Sequence, residues 1–305
     1  MRSSAIRHLA ISDCGRIVAA GLFEKTVQIW SCDTGRMIDQ METMLDFGGR
    51  RLALTPDGST CIVGSWGERG TGQRGLAAYS VPYGRLLWNR SDIRRIQSVA
   101  ASGSGREIYC GVENTHVYII EASTGTTLST VRSARKIFGS RYTPHRLVAQ
   151  KERYTVCGAT EFHISPLSFA LLDAAFSSDA VCLAEPRNAL RPREHPGGVR
   201  LLDIETGEQR WYLDLRAIRV AFNSADENFY CIAATESEPR RRSLIRLAGS
   251  AADCVRMLVF DHCGEAAFTP SGQALITAKG DVYETSSGVL LTHLDFPQRD
   301  YPDPD

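Results

Sequence analysis

The side chains that do chemistry are thinly spread along this chain. Its seven histidines and nine cysteines form no His-x-x-x-His, His-Glu-x-x-His or Cys-x-x-Cys pair. Those are the spacings that bring two ligands from one local element to a metal ion. Cys14, Cys32, Cys254 and Cys263 stand apart, so neither a metal site nor a cofactor is assigned. His262 and Cys263 are adjacent, but neighbours on a strand point to opposite faces, which argues against shared ligation or a nucleophile with its base. Gly67, Gly70, Gly72 and Gly75 resemble a phosphate loop in composition. The segment lacks the following Lys-Ser/Thr and is expected to join antiparallel strands, with no helix N-terminus to hold a phosphate. Asp173, Glu265 and His8 occupy equivalent repeat positions and are what a channel-centred enzyme would use. No catalytic residue is assigned.

The arginines are more informative. Three long segments, 67–75, 186–198 and 236–243, carry Arg69, Arg74, Arg187, Arg191, Arg193, Arg240, Arg241 and Arg242 against Glu68, Glu194, Glu236 and Glu238. Each is expected to link the second and third strands of its repeat. In an antiparallel four-strand unit these links emerge on the same side as the links between units, so all three loops project from one rim. Arg51 and Arg219 start first strands on that side, and Trp66 borders the first loop as a candidate aromatic anchor. Because the formal net charge is zero, this rim is basic at the expense of the rest of the surface. Guanidinium groups pair bidentately with carboxylates and phosphates.

The elements that position these residues repeat along the chain. First strands end in a small residue, an apolar residue and Ser, Thr or Asn, with the third residue at Ser12, Thr55, Ser102, Ser140, Ser177, Asn223 and Thr269. Their spacings of 43, 47, 38, 37, 46 and 46 residues suit a four-stranded propeller blade. Second strands are expected near 17–20, 61–64, 108–111, 181–184 and 229–233, and third strands near 26–30, 76–81, 117–121, 199–204 and 281–284. Turns closing on Gly35, Gly84, Gly125, Gly207 and Gly288 separate third from fourth strands; the fourth and sixth repeats have degenerate turns. Cys61, Cys110, Cys182 and Cys231 are expected at corresponding places in the second strands of four blades and are read as small buried hydrophobes.

Phrases such as Thr26-Val27-Gln28-Ile29-Trp30 and the run from Val199 through Asp203-Ile204-Glu205-Thr206-Gly207 resemble WD40-like and quinoprotein-like (YVTN-type) repeats. The strict WD40 dipeptides Gly-His and Trp-Asp are missing, and Ser31 follows Trp30. The resemblance implies an all-β, seven-bladed β-propeller of four-stranded antiparallel blades, spanning 1–296, with an acidic, Pro-rich tail at 297–305. It also implies protein binding as the commonest role.

No stretch has the roughly 18 apolar residues of a membrane span, and the N-terminal segment lacks an uninterrupted apolar core, so a cytoplasmic location with reduced thiols is expected. The resulting expectation is a non-enzymatic, monomeric scaffold whose Arg-rich face binds an acidic protein partner. The alternatives are a lactonase-like hydrolase working in the central channel and a nucleic-acid binder using the same face.

Overall fold

The computed structural model describes residues 6, 8–22, 25–45, 51–65, 74–112, 116–132, 134–139, 146–150, 154–157, 162–164, 173–185, 197–234, 241–247, 254–261, 266–269 and 271–296. The turn after each first strand is built by the Ser or Thr that ends it. Ser12 Oγ accepts a hydrogen bond from the Ile17 amide, and Thr55, Ser102 and Thr269 accept likewise from Thr60, Glu107 and Ala274, each at 3.0 Å. In a shorter turn Ser177 Oγ accepts from the Ala180 amide at 2.9 Å. All five side chains are buried. Without the oxygen a buried amide would lose its partner, at a cost of about 1–3 kcal/mol.

Blade one comprises β1 (His8–Ile11), β2 (Ile17–Gly21), β3 (Thr26–Ser31) and β4 (Met37–Glu42), and blade two β5 (Arg51–Leu54), β6 (Thr60–Gly64), β7 (Leu76–Ser80) and β8 (Leu86–Arg90). Blade three comprises β9 (Ile96–Ala101), β10 (Glu107–Val112), β11 (His116–Glu121) and β12 (Thr127–Arg132), and blade four β13 (Ala134–Gly139), β14 (Arg146–Gln150), β15 (Tyr154–Cys157) and β16 (Phe162–Ile164). Blade five is β17 (Asp173–Phe176), β18 (Ala180–Glu185), β19 (Gly198–Asp203) and β20 (Gln209–Leu213), and blade six β21 (Ala217–Asn223), β22 (Asn228–Ala234), β23 (Arg241–Leu247) and β24 (Val255–Asp261). Blade seven is β25 (Ala266–Phe268), β26 (Ala274–Thr277), β27 (Asp281–Glu284) and β28 (Leu290–His293).

Each set forms one antiparallel sheet in simple up-and-down order, giving seven sheets among the described residues. The innermost strands touch in sequence, and β25 returns to β1, closing a ring. The core lies between sheets. Ala19, Val27 and Ile29 of blade one meet Leu52, Leu54 and Cys61 of blade two, and Tyr230, Ile232 and Leu244 of blade six meet Ala266 and Leu275 of blade seven. Small side chains on the inner strands suit crowding at the axis.

The seven-bladed expectation is corrected at its fourth blade, which lacks an edge feature the other six share. Six blades share a shift of register where the third strand meets the fourth, between Ile29 and Trp30, Ala78 and Tyr79, Ile119 and Ile120, Leu201 and Leu202, Leu244 and Ile245, and Val282 and Tyr283. Such bulges twist the outer edge and discourage pairing with another chain. The pairing of β15 with β16 is regular and short, so the fourth sheet departs from the pattern of the other six.

Among the described residues no strand is exchanged between the first and last blades: β1 to β4 and β25 to β28 form separate sheets. The seam is apolar. Phe296 and Leu294, beyond β28, pack with Ile6, Val18, Leu22 and Trp30 of blade one, and the Trp30 and Phe296 rings meet edge to face at 5.1 Å. Among the described residues no helix is long and apolar enough to cross a membrane.

Candidate functional site

First and third strands begin on the same side of each blade, and this fixes where the arginines lie. Arg51 opens β5, Arg74 precedes β7, Arg219 lies in the first part of β21, and Arg241 and Arg242 open β23. All five therefore belong to one rim. Arg74 and Arg241 are exposed, whereas Arg51, Arg219 and Arg242 are half-buried. Trp66, Arg69, Arg187, Arg191, Arg193 and Arg240 lie outside the described residues. Exposed Arg94 and Arg95 join this rim from the link between blades two and three, and exposed Arg132 from the end of β12.

Positive charges crowd together here. The Arg242 guanidinium is pushed below its usual pKa, first by burial and then by repulsion from Arg216. Arg216 lies in the link between β20 and β21 and is exposed. Sequence reasoning missed it, although its place just before a first strand matches the logic that selected Arg219.

Two long loops are pinned where they rejoin the sheet. Gly75 and Gly198 take φ values of +137° and +128° just before or at the start of β7 and β19. A Cβ on Gly198 would sit 2.7 Å from the Leu213 carbonyl oxygen and 2.6 Å from the Tyr212 ring; one on Gly75 would collide with the Arg90 carbonyl. Only glycine lets the chain cross so closely over the departing fourth strand. Beneath the blade-five loop, Glu185 at the end of β18 and Arg200 in β19 form an ion pair of 2.7 Å, with side chains 0% and 6% exposed. The ends of β18 and β19 at that loop are therefore joined by a buried ion pair, with its charges turned inward.

The central channel offers less chemistry. Its cavity of about 390 Å³ is walled by residues such as Ala10, Ala53, Ala101, Ala175, Ala221 and Ala267. Asp173 lines it, but its carboxylate accepts hydrogen bonds from the Ala174 amide at 3.0 Å and the Val220 amide at 3.1 Å. The second bond ties blade five to blade six, so Asp173 serves the ring. Glu265 lies outside the described residues. Among the described residues no group of three or more His, Cys, Asp or Glu side chains is placed to hold a metal ion.

Cys61, Cys110, Cys182 and Cys231 are buried free thiols, and burial raises the pKa of each. They are not at one repeated position. Cys110 pairs with Val99 and Cys231 with Val220, three residues before the strand-ending Ser or Asn, whereas Cys61 pairs with Leu54 and Cys182 with Ala175. Cys61, Cys110 and Cys231 consequently face the preceding blade, and Cys182 faces the following one. Cys32 is pushed up to about 12 by burial and then by Asp33.

No protein-family model and no curated protein matches the chain. Solved structures do. The WD40 repeats of RRP9 superpose with a TM-score of 0.68 at 9% identity, covering 90% of this chain and 87% of that one. U3-55K gives 0.66 at 10% identity, covering 90% and 88%. Hydrazine synthase of Kuenenia stuttgartiensis gives 0.67 at 10% identity, covering 97% of each chain. At such identities the likeness carries the fold alone, a β-propeller.

Proposed function

We propose that the chain is a non-enzymatic scaffold that holds an acidic protein partner against its arginine rim. The observation that carries this reading is the convergence of Arg51, Arg74, Arg219, Arg241 and Arg242 on the side where first and third strands begin, in a chain of zero formal net charge. Like-charge crowding of Arg242 with Arg216 supports it, since guanidinium groups held close together gain from an anionic partner. The Arg-bearing segments around residues 69, 187, 191, 193 and 240, and Trp66, extend the same surface in this reading. The described cysteines are all free thiols, which fits a reducing, cytoplasmic setting.

The test is affinity capture from the native host, comparing the wild type with a variant in which Arg191, Arg193, Arg240 and Arg241 are replaced by Glu. Loss of an acidic protein from the variant, together with salt-sensitive capture by the wild type, is the expected result. Equal recovery by both would end this reading, and recovery of nucleic acid in place of protein would redirect it.

A further inference from the structure

Between blades six and seven the same rim opens into a cavity of about 330 Å³, lined by Arg241, Phe260, Thr277, Lys279, Asp281 and Tyr283 among others. That volume lies at the small end for ligand sites and suits one side chain or a small ion. Two cations reach it from different blades: Arg241 opens β23, and Lys279 lies in the turn joining β26 to β27. The acid in the wall, Asp281, is engaged by His293 Nδ1 at 2.8 Å.

Thr277 gives the cavity its direction. It is 4% exposed, and its Oγ1 has no hydrogen-bond partner among the described residues. It pairs with Ala266, three residues before the strand-ending Thr269. At that register position the other blades place Ala20, Val63, Cys110, Val148, Leu183 and Cys231. Blade seven alone puts a hydroxyl there, where the repeat calls for an apolar side chain or a thiol. A buried hydroxyl left without a partner is unfavourable, so its presence at the wall of a cavity that Arg241 and Lys279 also line points to a ligand acceptor.

We propose that this cavity is an oxyanion socket, taking a carboxylate or phosphoryl group on a partner side chain, with Arg241 and Lys279 supplying charge and the Thr277 hydroxyl donating a hydrogen bond. The proposal rests on the acidic-partner reading and adds its point of recognition. Charge alone would make a diffuse basic surface, whereas a donor fixed in the wall selects a compact acceptor at one place.

The experiment uses the full chain and three fluorescent hexapeptides identical except at one position, which is Glu, phosphoserine or Gln. Binding is read by anisotropy, and the variants are Thr277→Val and Arg241→Gln. The Glu or phosphoserine peptide is expected to bind at least about tenfold more tightly than the Gln peptide, as hydrogen bonds to charged groups imply; whichever is tighter identifies the group. Thr277→Val should weaken that peptide about 3–10-fold, the worth of one hydrogen bond, while leaving the unfolding midpoint unchanged or raised because an unsatisfied hydroxyl is gone. Equal binding of all three peptides, or wild-type affinity in both variants, would overturn the socket. Selective peptide binding lost in Thr277→Val, alongside unchanged partner capture by a variant in which only Arg191, Arg193 and Arg240 are replaced by Glu and Arg241 is kept, would keep the socket and end the rim reading.

Discussion

Glu185 Oε2 lies 2.7 Å from Arg200 Nε inside blade five, with the carboxylate side chain fully covered and the arginine 6% exposed. The pair joins β18 to β19 directly below the loop that carries three of the candidate arginines. Its charges are unavailable to a partner. What it contributes is a fixed base for the loop.

Removing one member should therefore be severe. Glu185→Leu leaves a buried guanidinium without its counter-charge, a change that costs about 3–5 kcal/mol, whereas Glu185→Leu with Arg200→Met removes both charges and should recover most of the loss. Urea denaturation of the two variants and the wild type measures this. A single variant as stable as the wild type would contradict the burial of the pair.

Gly198 should resist substitution at the same loop base. Gly198→Ala forces a left-handed φ on a residue with a side chain and brings its Cβ within 2.7 Å of the Leu213 carbonyl oxygen. A loss of about 1–3 kcal/mol is expected. Its signature beyond lower stability is faster proteolytic cutting in 186–197, which a merely global effect would not confine to that loop.

On the opposite side of blade five, Arg210 bonds Asp179 Oδ2 and Asp203 Oδ2, each at 2.8 Å. These hydrogen bonds hold both carboxyls below the usual aspartate range. Groups with a depressed folded pKa contribute stability above their unfolded value, about 3.9, and lose it as pH falls through the folded value. Arg210→Ala should thus lower the unfolding midpoint at pH 7, and the gap to the wild type should close progressively in acid below about pH 3.9. A gap independent of pH would mean that the arginine acts through packing alone.

At the seam, Phe296→Ala removes the edge-to-face partner of Trp30 and opens space beside Ile6 and Leu22. Large-to-small changes of this kind cost about 3–5 kcal/mol. Because the seam joins the first blade to the last, hydrogen exchange should rise first in β1 to β4 and β25 to β28. Uniform acceleration around the ring would argue against a local joint.

The repeat was legible in the sequence because one physical requirement recurs: a buried oxygen at Ser12, Thr55, Ser102, Ser177 and Thr269 must accept the amide that opens the second strand. Fourth strands were harder to see, since Met37, Leu86, Leu128 and Leu290 leave apolar residues exposed at outer edges and blur the alternation. The shared bulge beside Trp30 and its counterparts depends on pairing register, which no local pattern reveals. The side of the ring on which Arg51, Arg219 and Arg241 emerge followed from strand polarity alone. The cavity beside Thr277 did not, because it depends on blades six and seven meeting, and Arg216 was passed over because nothing local marks its closeness to Arg242. The cysteines misled in detail: Cys182 lies an odd number of residues after Ser177, whereas Cys61, Cys110 and Cys231 lie an even number after Thr55, Ser102 and Asn223, so the two-residue alternation of a strand turns Cys182 to the opposite face.

The seam has one more implication. Among the described residues every sheet is drawn from its own stretch of chain, and the joint between first and last blades is made by side chains such as Trp30 and Phe296, as the other joints are made by theirs. The ring therefore has no privileged starting blade. A circular permutant that links the two ends by a short flexible tether and is cut between any other pair of blades should reach the same closed ring. Permutants cut between blades five and six would also move the break to the foot of Arg216, turning the most crowded part of the basic rim into a free end.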